Sequence, residues 1–146
     1  MALAYAAGDS TIRRLISFAG TDHGEIARKY ENDESFASVL REMIKNTQAP
    51  DGPIRFDLEA SFKELIDNKD TLGLRENAER LADRSILLIG GWEDTSTTVD
   101  DFMLPLYRSL RNAGAEDVTF LVYHDGHGFG KVRDRIEKDV LTWINR

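Results

Sequence analysis

The sequence predicts an α/β layer fold, a short parallel sheet of three strands flanked by helices, and two observations carry that prediction. Three short apolar runs, "LISFAG" (15–20), "SILLIGG" (85–91) and "VTFLVY" (118–123), are bounded by charge or glycine, and none alternates strictly. That is the pattern of parallel strands covered on both faces. Helical patterns separate the runs, and strands alternating with helices call for right-handed crossovers onto one sheet.

The chain opens on "MALAYAAG", an alanine-rich helix former with no Ser, Thr, Asp or Asn ahead of it to cap the free N–H groups. The helix therefore reads as one entered in its middle. After the first strand, residues 22–84 show no strong strand pattern and read as a mostly helical, cap-like insertion within a single domain spanning 1–146. Within it, Phe36, Val39, Leu40, Met43 and Ile44 form one apolar stripe, and Leu58, Phe62, Leu65 and Ile66 form another. The stretch "APDGP" (49–53) is the turn between them. Beyond the second strand, Phe102, Leu106 and Leu110 mark a helix ended by Gly114. Val132, Ile136, Val140, Trp143 and Ile144 mark the last one.

Composition narrows the function. The 146 residues suit a single domain with a core of its own. A net charge of −7 and the absence of a basic stretch interleaved with aromatics exclude a nucleic-acid footprint. Without cysteine there is no disulfide, thiolate metal site or thiol nucleophile. No run is long enough to span a membrane, and the first residues lack the cationic flank of a signal peptide. The expectation is a soluble cytoplasmic protein with no cofactor and no membrane or nucleic-acid partner.

Chemistry concentrates after the second and third strands. "LLIGGWEDTST" runs off a strand into Gly90 and Gly91 and reaches Asp94, and the next strand ends in "YHDGHGF". Loops at the carboxyl ends of parallel strands gather reacting groups. An acid after one strand and a histidine after the next can meet there, the carboxylate accepting the imidazole Nδ1–H. The blander reading makes Asp94 a cap for the helix starting near Thr97, beside a solvated histidine. His124, Asp125 and His127, or His23 with Asp22, could offer metal ligands. However, His-x-x-His on a strand-to-loop turn does not set both rings on one face, so no metal is expected.

From Asp94 onward the chain resembles the C-terminal part of an α/β-hydrolase of the dienelactone-hydrolase and prolyl-oligopeptidase-like group. The elements that carry the resemblance are "ILLIGGWED", "VDDFMLPLYRSLRNAG", "VTFLVYHDGHGF" and "DVLTWI". The resemblance implies that Asp94 is the acid and His127, in "HGF", the base of a serine triad, while His124 matches no catalytic position. It also implies a G-x-S-x-G nucleophile elbow, which does not occur in these residues. "MALAYAAGDSTIRRLISFAGTD" resembles the helix and strand that follow such an elbow, which places the serine a few residues before Met1. Ser10 and Ser96 stand in loops without an elbow pattern.

Three functions follow. One is the C-terminal part of a serine hydrolase for ester or peptide substrates, inactive alone, its pocket roofed by the insertion and walled by Trp92 and Phe129. Another is a noncatalytic binding or assembly module, pairing through the exposed edge of strand 15–20 with a second copy or a partner chain. The third takes "GTDHG" (20–24) as a G-x-D-x-G elbow resembling that of haloalkane dehalogenases and epoxide hydrolases, with Asp22 attacking. That reading needs a further strand between Asp22 and the strand leading to Asp94. No such pattern occurs in 25–84, so Asp22 is better read as a helix cap.

Overall fold

A computed structural model describes residues 2–50 and 52–146. It resolves into two compact units: a sheet unit of Met1–Thr21 with Arg75–Arg146, and a helical unit of Asp22–Leu74. Met1, at the head of the opening helix pattern, and Asp51, within the "APDGP" turn, lie outside the described residues.

In the sheet unit, β1 (Arg14–Phe18), β2 (Ser85–Gly91) and β3 (Val118–Tyr123) are parallel, with β2 in the middle. Leu15 pairs with Ile86 and Phe18 with Ile89; Ile86 pairs with Val118 and Gly91 with Tyr123. The second and third strands coincide with their apolar runs, 85–91 and 118–123; the first spans 14–18 where the run covers 15–20. A central parallel strand has no solvent face, so Ile86, Leu87, Leu88 and Ile89 are all 0 % exposed. Burial of each such side chain contributes about 1.5–3 kcal/mol.

Helices cover both sides of this strand. Leu87 and Ile89, with Tyr123, pack on Ile136 and Trp143 of the last helix, α8 (Arg133–Ile144). On the alternate face, a Cβ on Gly90 would stand 2.7 Å from Met103 Sδ and 3.3 Å from Val99 Cγ2. Gly90 thus admits a π turn, Val99–Met103, which leads into α7 (Leu104–Asn112). The opening helix, α1 (Ala2–Gly8), buries Leu3 and Ala6.

The outer edge of β1 is open among the described residues. Arg13 O accepts from Ser85 N and Ala19 N donates to Ile89 O, so odd-numbered residues bond β2. In a parallel ladder the alternate residues turn the other way. Arg14, Ile16 and Phe18 therefore present their N–H and C=O groups where no strand pairs.

The helical unit contains α2 (His23–Asn32), α3 (Glu34–Lys45), α4 (Leu58–Asp67) and α5 (Lys69–Leu72). Asp22, Asp33 and Asp57 cap the three long helices, accepting from Glu25 N, Phe36 N and Ala60 N. Its core is small: Ala27, Leu40, Phe62 and Leu74 are buried, and Tyr30 stacks on Phe62 at 4.4 Å. Of the stripe read on 36–44, only Leu40 is buried, while Val39 and Met43 are 68 % and 58 % exposed. The insertion ends at Leu74 rather than 84, because α6 (Ala78–Leu81) buries Ala78 and Leu81 in the sheet unit beside α1 and α7. Among the described residues no helix is long and apolar enough to cross a membrane.

Candidate active site

β2 ends at Gly91, and the chain turns at once, Asp94 N donating to Gly91 O. This aims the Asp94 side chain back into the turn, where one oxygen accepts from Ser96 N at 2.8 Å and Thr97 N at 2.9 Å. The other oxygen lies 2.8 Å from His127 Nδ1. The Asp94 side chain is fully buried, whereas that of His127 is 58 % exposed. Burial pushes the Asp94 carboxyl upward, but the Thr97 N–H, the imidazole and the Ser96 N–H together outweigh it and hold the group below the usual carboxylate range. An ionised carboxylate only accepts. Nδ1 must then carry a proton, and in the neutral ring that leaves the lone pair on Nε2. No described protein group bonds Nε2.

The His127 loop does not stay over its own strand. Past Tyr123 the ladder continues, Trp92 N donating to Tyr123 O and Glu93 N to Asp125 O, so both loops leave the sheet together. A Cβ on Gly91 would come within 2.4 Å of Asp125 O, so this approach requires glycine. The loop then folds back across the sheet end. Phe129, at a left-handed φ of 49°, is buried and meets Phe18 edge-on at 6.2 Å. It thereby reaches from β3 past β2 to the last residue of β1. Thr21 Oγ1, beyond β1, is 3.1 Å from Thr97 Oγ1 in the Asp94 turn.

The other sequence candidates each have their own setting. His124 is exposed on the loop. Asp22 is 1 % exposed; one of its oxygens accepts from Glu25 N and the other from Leu74 N at 3.1 Å, pinning the helical unit's first residue to its last. His23 begins α2. Trp92 is 53 % exposed, whereas Phe129 is buried in the core cluster with Leu87, Ile89 and Trp143. Among the described residues no three His, Cys, Asp or Glu side chains converge as metal ligands.

Sequence reasoning missed the part played by Asp125. Its carboxylate is buried and accepts from Gly126 N at 2.8 Å and Lys131 N at 2.7 Å. The Asp-Gly pair is a turn signal, but the partner five residues past Gly126 leaves no local pattern. What the fold and site define is a class: an α/β protein with an Asp–His pair at the carboxyl edge of a parallel sheet. No family model matches the sequence, and no curated protein matches it.

Proposed function

We propose that this chain carries the acid and base of a serine hydrolase for ester or peptide bonds, the serine arriving on a strand that pairs with the open edge of β1. One observation carries the reading: the 2.8 Å contact between His127 Nδ1 and a buried, doubly hydrogen-bonded Asp94 carboxylate. Such a carboxylate fixes the tautomer and stabilises an imidazolium. The exposed ring supports it, since a base must reach its substrate. So does the return of the His127 loop to Phe18, which sets it near the strand whose edge is unfilled.

In this mechanism Nε2 takes the serine proton as Oγ bonds to the carbonyl carbon. The imidazolium, held by Asp94, then protonates the departing alkoxide or amine. Water repeats the sequence from the other side, entering as the serine leaves with the returned proton.

The test is intact-mass analysis after treatment with a fluorophosphonate. The 146-residue chain alone is expected to gain no mass, and the product of a reading frame extended upstream to gain one phosphonyl group, lost in His127→Ala. Labelling of a serine within the 146 residues would overturn the placement of the nucleophile. An unlabelled extended product would overturn the hydrolase reading. It would favour the second one, a noncatalytic assembly module, which the open edge of β1 also supports.

A further inference from the structure

We infer that Asp125 is a positioning residue: its carboxylate clamps the loop that carries His127 and so keeps Nδ1 on Asp94. The inference rests on reading His127 as a base, but its test reads the ring itself and uses no turnover.

An exposed histidine on a glycine-rich loop has no reason of its own to stay on a buried acid. Gly126, Gly128 and Gly130 alternate through this loop, and a Cβ on Gly128 or Gly130 would meet nothing within 4 Å. Packing around the backbone therefore does not hold it, and glycine widens the conformations it must give up. Two things do restrain it. Phe129 anchors its centre in the core, and the turn bond from Phe129 N to Gly126 O shapes the approach.

Asp125 closes its ends. One carboxylate oxygen accepts from the next residue and the other from Lys131, so a single side chain ties both stems of the segment containing His127. Its own backbone is fixed twice: Asp125 N donates to Tyr123 O, and Asp125 O accepts from Glu93 N, one residue before Asp94. The clamp is thereby registered to the acid's loop as well as the base's. Lys131 Nζ adds a tie to Glu93 at 3.3 Å, but both side chains are well exposed and that pair is weak. The Asp125 carboxyl is held below its ordinary range, first by the Lys131 N–H, against burial, with help from Gly126 N–H. It therefore stays an acceptor for both amides.

The experiment is long-range proton–nitrogen NMR of the chain labelled at histidine nitrogens, recorded at a pH where the rings are neutral. Wild-type His127 is expected to show the Nδ1–H tautomer, the form a free imidazole disfavours, with exposed His124 as the internal reference. In Asp125→Asn one amide of the clamp faces an amide donor instead of an acceptor. The His127 tautomer ratio should then move toward Nε2–H by about fivefold or more, with His124 and the amides of the strands unmoved. An unchanged His127 ratio in a folded Asp125→Asn protein overturns the inference. A wild-type His127 without the Nδ1–H tautomer overturns the Asp94 pairing as well, and with it the reading beneath.

Should Asp125→Asn fail to fold, wild-type amide exchange decides. Gly126 and Lys131 are expected to exchange at least about tenfold more slowly than Gly128. Equal rates would mean that no clamp exists.

Discussion

Two buried aspartates follow the first two strands, each a few residues past the strand's end and each in a glycine-flanked spelling, yet they are used differently. Asp22, in "GTDHG", accepts from two backbone amides, one at the start of α2 and one at Leu74. Asp94, in "GGWEDTST", satisfies two backbone amides with one oxygen and leaves the other for His127. The residue type and its place after a strand are the same. The second oxygen of Asp22 accepts from the distant Leu74 amide, whereas that of Asp94 meets an imidazole.

The largest expected effect tests that distinction through chemistry. In an enzyme completed by its serine, Asp94→Ala should lower kcat by about three to four orders of magnitude, because the imidazole loses its tautomer and its counter-charge. Asp22→Ala should leave kcat within about twofold of the parent, which a steady-state assay of both variants would show. A comparable loss in both would erase the contrast.

The roles reverse in stability. Asp22→Ala strips a helix cap and leaves a buried Leu74 N–H without its acceptor, and should cost about 1–3 kcal/mol by urea titration. Amide exchange should place that loss in the helical unit, and the His127 tautomer should not move.

Acid sharpens the comparison further. The folded Asp94 pKa lies below its ordinary value near 3.8. A depressed pKa stabilises the fold fully above the unfolded value, and that contribution fades as pH falls through the folded one. Below about pH 4 the parent should therefore lose stability faster than Asp94→Asn, a difference that thermal melts between pH 5 and 2 would reveal.

A smaller effect belongs to the turn after β1. Ala19 sits at a φ of 43°, where a Cβ costs about 1–2 kcal/mol. Glycine removes that strain but widens the unfolded ensemble by about 0.4–1 kcal/mol. Glycine also removes a methyl buried in the core, worth about 0.8 kcal/mol, so the terms nearly cancel and Ala19→Gly should shift stability by less than about 1 kcal/mol in urea titration. The smallest effect is at His124: exposed and three residues from His127, it should change stability by less than about 0.5 kcal/mol in urea titration on replacement by alanine.

Much of this was legible before any coordinates. SILLIGG and VTFLVY coincide with β2 and β3 because a parallel strand buried between layers needs continuous apolar residues, and that need is local. The pairing of Asp94 with His127 was legible for a related reason: strands of one parallel sheet end on one side, so residues just past two adjacent strands share an edge. The stripe on α3 misled because amphipathic spacing says which residues can be buried together, not that a partner exists. Val39 and Met43 have the right period and remain exposed. The boundary at 84 failed because four-residue α6 is too short to show a period, though it buries Ala78 and Leu81.

The layer class, the central strand and the two loops that bring Asp94 to His127 were readable along the chain, since periodicity and strand-end placement are written in near neighbours. Only the tertiary structure decided which aspartate keeps an oxygen for a histidine, how Asp125 closes the loop, and why Phe129 belongs to the core. Each of those depends on partners the chain brings together from distant positions: Leu74 against Asp22, His127 against Asp94, Phe18 against Phe129. A hydrogen bond or a ring contact is a property of two places at once, and a pattern read along the chain records only one of them.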